Sequence, residues 1–284
     1  MTLVNPLDVH KVVRPRTVAE ALAYLDEGDV QVAPLAGGMS LLADRTAGAE
    51  VLLDLSEMGW RYVRLTEEEL HIGATTPVED VIATQALTEW AQGVLVTAAR
   101  AVAPQVQRYQ ITLGGVLMAP DRGSDLVAAL MALDAQVVYY TPANRDHPVR
   151  TPVATFVRPA GEANRRLVAA VLVPGTTRTW RASLHRLGRT PRDQALVCVV
   201  AAAGQTSSGR TVRLVVGGVG IIPQRLSSLE SLVAAAEDAP SLLAEVEKRA
   251  RESVTVPEDW RASADYRRAV AGVLVRRAVA DVLG

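Results

Sequence analysis

The chain has 284 residues, 49% hydrophobic and 21% charged, which is enough apolar material for a buried core and excludes a disordered chain. Thirty basic side chains are matched by 31 acidic ones, so a net charge of −1 gives no bulk attraction to nucleic acid or anionic lipid. Only Lys11 and Lys248 are lysines; with aromatics at 4%, the arginines read as compositional bias rather than an RNA-binding surface. The single Cys198 excludes an internal disulfide and any cysteine-built zinc or iron–sulfur centre within the chain, and reads as a buried, inert thiol. His10, His71, His147 and His185 lack metal-ligand spacing. Neither a secretory signal nor an apolar run approaching about 18 residues is present, so the expectation is a reduced, cytoplasmic protein with no transmembrane segment.

The first sixty residues alternate helix and strand. Thr17-Val-Ala-Glu20 is a capping box, and Val18, Leu22 and Leu25 give the following helix one apolar face, which Gly28 ends. A strand over Val30–Leu35, a glycine turn, a short helix over Ser40–Arg45 and a strand over Val51–Leu55 complete a small βαβ-like lobe. Tyr62–Leu65 and Leu70–Ala74 flank the acidic turn Thr66–Glu69 as a hairpin. Thr76-Pro-Val-Glu79 reads as a second capping box, followed by a longer helix over Glu89–Val102. A glycine turn at Gly114-Gly115 precedes an apolar helix over Asp125–Leu133 and strands over Ala135–Tyr140 and Leu167–Val173. Pro174-Gly175 marks a lobe boundary. The last third reads as strands over Ala195–Ala203 and Thr211–Val216, then helices over Leu229–Ala236, Ser241–Ser253 and Ser263–Leu283. Arg267-Arg268 and Arg276-Arg277 are expected on a solvated or subunit-facing surface. Trp60, Trp90, Trp180 and Trp260 are expected in the core or an interface.

Two glycine pairs carry the chemistry. Ala36-Gly37-Gly38-Met39-Ser40 follows a strand and opens a helix; such a turn either presents backbone N–H groups to an anion or is a plain connection. Thr112-Leu-Gly114-Gly115 is neither GxGxxG nor a P-loop. Asp125, ten residues after it, suits a ribose hydroxyl or a helix N-cap, and the two roles are compatible.

In order along the chain stand PRTVAEALAYL, AGGMSLL, LHIGATT, TLGG, SDLVAALMALDAQV, HRLGRTPRDQALVCVVAA and RASADYRRAVAGVLVRRA. On these stretches the chain resembles the FAD-binding medium subunits of molybdenum hydroxylases, the carbon monoxide dehydrogenase and xanthine dehydrogenase family. The resemblance implies an α+β protein: a two-lobed FAD-binding fold of the vanillyl-alcohol oxidase (PCMH) type over residues 1–57 and 58–175, and a C-terminal α+β lobe over 176–284 with a small antiparallel sheet and helices. It implies that Ala36, Gly37, Gly38, Met39 and Ser40 hold the FAD pyrophosphate, that Thr112, Gly114 and Gly115 form a second cradle, that Asp125 binds sugar or ribityl hydroxyls, and that Arg186 lies near the flavin. No catalytic acid or nucleophile is then needed. The implied partners are an iron–sulfur small subunit with [2Fe–2S] clusters and a large subunit with molybdopterin, and a dimer of heterotrimers is an assembly the resemblance allows. The chain departs from the family pattern at Met39, Arg108-Tyr109, Val116, where asparagine is usual, Met118 and Arg122. These departures leave a second reading open: a member that has lost tight FAD binding and serves as a structural or assembly subunit. A free-standing flavin oxidase is a third, but no substrate base is apparent.

Overall fold

The computed structural model describes residues 9–284 except 27–29, 44–47, 120, 122–123, 158–164, 191–192, 208, 237–238 and 257; Gly28, Arg45 and Arg122 lie outside the described residues. The N-terminal part is a three-stranded parallel sheet of β1 (Lys11–Val13), β2 (Val32–Leu35) and β3 (Val51–Asp54), in the order β1-β3-β2. Helix α1 (Val18–Asp26) crosses between β1 and β2 and packs Leu22 and Leu25 against Leu53 and Leu55. Its Thr17 hydroxyl accepts from the Glu20 amide at 3.2 Å, while the Glu20 carboxylate accepts from Arg16 N at 2.8 Å, closing the capping box one residue early. Helix α2 (Met39–Ala43) follows the first glycine pair.

The second part is a five-stranded antiparallel sheet: β4 (Val63–Leu65), β5 (Glu69–Gly73), β6 (Gln136–Tyr140), β7 (Val149–Pro152) and β8 (Leu167–Pro174), ordered β4-β5-β8-β6-β7. Between β5 and β6 run α3 (Val78–Ala83), α4 (Ala86–Glu89), α5 (Val94–Arg100), α6 (Gln105–Arg108), α7 (Leu113–Met118) and α8 (Asp125–Ala132); α9 (Val153–Phe156) follows β7. Three expectations are corrected here. Thr76 does not cap a helix: its hydroxyl donates to Tyr62 O at 2.9 Å and accepts from Tyr62 N at 3.0 Å, tying the chain to the hairpin, and α3 starts after Pro77 without a side-chain cap. The helix expected over Glu89–Val102 is broken, with Ala91, Gln92 and Gly93 all left-handed. Tertiary bonds override the helical pattern there: Ala91 N donates to Arg178 O at 2.9 Å, and Gln92 Oε1 accepts from Ala182 N at 3.2 Å. Gly114 and Gly115 lie inside the first turn of α7 rather than in a turn before a helix.

The third part is an antiparallel sheet of β9 (Arg181–Leu187), β10 (Val197–Thr206), β11 (Gly209–Gly217) and β12 (Gln224–Arg225), ordered β12-β11-β10-β9. It carries α10 (Ser227–Ala235), α11 (Ala239–Ser253) and α12 (Ala264–Leu283). The apolar run along β10 has a simple cause. Cys198, Val200 and Ala202 join the core around α8, whereas Val197, Val199 and Ala201 join the core around α12. A strand buried on both faces has no polar alternation. Among the described residues no helix is long and apolar enough to cross a membrane.

One surface expectation changes. Arg267 is 0% exposed: it donates to the Asp259 carboxylate at 2.5 Å and to Gly218 O at 3.0 Å, closing the α12 end onto the sheet. Partial burial pushes the Asp259 carboxyl up, but the Arg261 amide and the Arg267 guanidinium outweigh this and hold it at about 2. Trp260, on the same turn, is 80% exposed beneath the Arg189 guanidinium, whereas Trp90 and Trp180 are core residues. Removing one partner of a buried pair leaves an uncompensated charge, so Asp259→Ala is expected to destabilise the fold by about 3–5 kcal/mol in urea unfolding. Arg268→Ala, which breaks an exposed pair with Asp265, is expected to change it by less than about 0.5 kcal/mol. Equal effects would show that the buried pair is not a fastening of the C-terminal part.

Candidate functional site

The parallel sheet, the α7–α8 segment and the start of β8 enclose a cavity of ≈ 720 Å³. Every candidate residue of the two glycine segments lines it: Ala36, Gly37, Gly38, Met39 and Ser40 on one side, and Thr112, Gly114 and Gly115 on the other. Asp125 lines it as well. Residues about 75 positions apart in sequence thus share one wall-to-wall space.

The glycines do different jobs. Gly38 has φ 76°, the left-handed conformation that turns the chain from β2 into α2. A Cβ on Gly37 would lie 1.4 Å from Gln110 O, so the two walls touch at this point. In α7 the Thr112 hydroxyl caps the helix by accepting from Gly115 N at 3.2 Å. Gly114 packs on the hairpin: its N–H donates to Ala74 O at 2.8 Å, and an added Cβ would fall 2.9 Å from that same oxygen. A Cβ on Gly115 would meet only Thr112 Oγ1, at 3.2 Å. Gly114 therefore serves packing, whereas Gly115 lines the cavity with only the capping hydroxyl of Thr112 beside it.

Ser124, not Asp125, caps α8, accepting from Val127 N at 3.3 Å. That leaves the Asp125 side chain available for other contacts. It is 4% exposed, and Arg186 Nε lies 3.3 Å from its Oδ2. Its Oδ1 is buried without a hydrogen-bond partner among the described residues. Burial pushes its carboxyl up to about 6, against the pull of Arg186. Arg186 itself does not line the cavity; it reaches the site through Asp125 and is braced by donating to Asp193 O at 2.6 Å. Sequence reasoning missed other wall residues: Ala74 and Thr75, Leu167 and Val168 at the start of β8, and Gln194. Ala74 and Thr75 lie in the quoted LHIGATT stretch, which was a usable signal. The strand residues carry none beyond hydrophobicity.

A diphosphate-linked dinucleotide fits this donor set. The first-turn amides of α2 have no intrahelical acceptor, Gly115 leaves open space, and a buried carboxylate oxygen lacks a donor.

Residues 7–176 match the family described as FAD binding domain in molybdopterin dehydrogenase, and residues 182–282 match CO dehydrogenase flavoprotein C-terminal domain. The chain is similar to the carbon monoxide dehydrogenase medium chain of Afipia carboxidovorans, 31% identical over 281 residues and covering 94% of each chain. It is also similar to the glyceraldehyde dehydrogenase medium chain of Sulfolobus acidocaldarius, 28% identical over 280 residues, 95% of this chain and 97% of that one. A solved carbon monoxide dehydrogenase chain from Hydrogenophaga pseudoflava shares the fold, with a TM-score of 0.86 at 24% identity and 97% of each chain covered.

The contrast between the two glycines gives a test. Gly115→Ala is expected to leave the unfolding midpoint near that of the parent and to weaken FAD binding, read by titration of the cofactor-stripped protein. Gly114→Ala is expected to destabilise the fold first, because its Cβ meets hairpin backbone. FAD affinity unchanged in Gly115→Ala would remove this helix face from the cavity wall that FAD touches.

Proposed function

Because the chain belongs to the family of FAD-binding subunits of molybdopterin dehydrogenases, we propose that it holds FAD in this cavity and passes electrons from a partner subunit to an external acceptor. The electrons would come from the [2Fe–2S] clusters of an iron–sulfur small subunit, in a cytoplasmic complex whose large subunit would hold molybdopterin and which would assemble as a dimer of heterotrimers. Residues 1–57 and 58–175 would form the two lobes that enclose FAD, and 176–284 the C-terminal lobe. One observation carries the reading: both glycine segments line a single cavity with Asp125, whose buried Oδ1 has no hydrogen-bond partner among the described residues.

Bound FAD supplies redox chemistry that no side chain of this protein provides. The chain's own residues bind, orient and exclude water. The amides of 38–40 would take the pyrophosphate, with the Ser40 hydroxyl as a further donor. Thr112 fixes α7 so that the bare face of Gly115 admits the ligand. Asp125 Oδ1 would accept a sugar or ribityl hydroxyl, and Arg186 holds that carboxylate in place. Leu167 and Val168 would form the dry wall. The organic substrate needs no base here, since its chemistry would occur on another subunit.

Val116, an apolar residue of the cavity wall where the resembling family has asparagine, is the observation that favours the second reading, a structural or assembly subunit. A spectrum separates the two. The purified chain is expected to show a flavin absorbance band that dithionite bleaches and an artificial acceptor restores, with no appreciable turnover of organic substrates by the chain alone. A colourless protein that takes up no added FAD would establish the second reading. Substantial oxidation of an alcohol or aldehyde by the isolated chain would instead indicate a free-standing oxidase.

A further inference from the structure

Cys198 was expected to be inert, yet its position is specific. In the pairing of β9 with β10, Cys198 stands directly opposite Arg186. Directly paired residues project to the same face of a sheet, so Cys198 and Arg186 leave their strands side by side. The face they share packs on α8: Cys198 belongs to the same buried cluster as Leu126, Val127 and Leu130. Asp125 is the first residue of α8; its carboxylate lies 3.3 Å from the Arg186 guanidinium, and the Cys198 thiol neighbours it closely enough to favour its ionised form. Cys198 is 0% exposed, and the carboxylate pushes its own ionisation well above the ordinary thiol range after burial has already done so. The thiol therefore stays protonated and acts as a donor, not a nucleophile. The carboxylate is gripped from the protein side by two groups of the C-terminal sheet, while Oδ1 has no partner among the described residues and Asp125 borders the cavity.

We propose that Cys198 is a positioning residue of the cofactor site: paired with Arg186 across β9 and β10, its thiol steadies the Asp125 carboxylate so that one oxygen is kept for a hydroxyl of the bound flavin nucleotide. The proposal rests on the reading that this cavity holds FAD. It makes the C-terminal lobe, which lies beyond the matched FAD-binding domain at 7–176, part of the machinery that sets cofactor affinity.

The consequence is a pH dependence with a definite sign. The charged groups that face Asp125 are Arg186 from β9, the Cys198 thiol from β10 and Asp121 from the segment before α8. In the free protein the Asp125 carboxyl titrates at about 6. A hydroxyl donated to the ionised form lowers that value, so FAD binding expels a proton and affinity rises with pH across this range. Removing the thiol donor raises the carboxyl's pKa and moves the rise to higher pH.

The experiment is FAD titration of the cofactor-stripped full chain, read by flavin fluorescence from about pH 5 to about pH 8. The wild type is expected to bind more tightly as pH rises through its midpoint. Cys198→Ala is expected to bind about two- to tenfold more weakly near that midpoint, from the loss of one donor, and to recover at the alkaline end. Cys198→Ser, which keeps a donor, is expected to follow the wild type, and Asp125→Asn to bind FAD with no pH dependence. Should Cys198→Ala fail to fold, Cys198→Val removes the donor while filling the space. A profile that neither donor-free variant shifts, in folded protein that binds FAD, overturns the proposal. Failure of the wild type to bind FAD at all overturns the cofactor reading instead.

Discussion

Asp125 is fixed where three parts of the chain meet, and much of the architecture serves to keep it there. It opens a helix whose eight residues are all buried. That helix lies under β10 and beside the five-stranded sheet, so its N-terminus cannot shift without disturbing the core they share. Holding a carboxylate at such depth is costly unless it is paired. Arg186 meets that requirement at one oxygen, while the other has no partner among the described residues, on a residue that borders the cavity. A buried acceptor without a donor among the described residues is a specific vacancy in the hydrogen-bond inventory, and on the proposed reading a ligand hydroxyl would fill it.

The division of labour among the glycines follows the same economy of space. Three of the four conserve room for backbone or turn: Gly38 by its left-handed φ, Gly37 by the carbonyl of Gln110, Gly114 by the carbonyl of Ala74. Gly115 is the one whose missing side chain leaves room on the cavity side. Neutral amides and hydroxyls can then cradle a diphosphate without a lysine cluster, which agrees with a chain that has two lysines.

The sequence disclosed the apolar elements well, because burial writes itself as hydrophobic runs. The strands around Val51, Val171 and Val199 and the helix α8 stand where their patterns put them. It singled out both glycine segments and Asp125, which the structure brings to the wall of one cavity. Strand β9 was not legible: Arg181-Ala-Ser-Leu-His-Arg-Leu187 mixes charge with apolar residues because one edge of the sheet is exposed. The break at Ala91-Gln92 was not legible either, because its cause is a partner about 90 residues away. Arg267 looked like a surface cation because nothing local reveals Asp259 closing over it. Contacts that combine distant segments leave no local period.

The direct measurement is a crystal structure of the chain grown with FAD. The pyrophosphate is expected against residues 38–40, with the bare face of Gly115 beside the ligand and a flavin-nucleotide hydroxyl about 3 Å from Asp125 Oδ1. FAD seated outside this cavity, or an Asp125 Oδ1 satisfied only by protein groups while FAD is bound, would contradict the site built here.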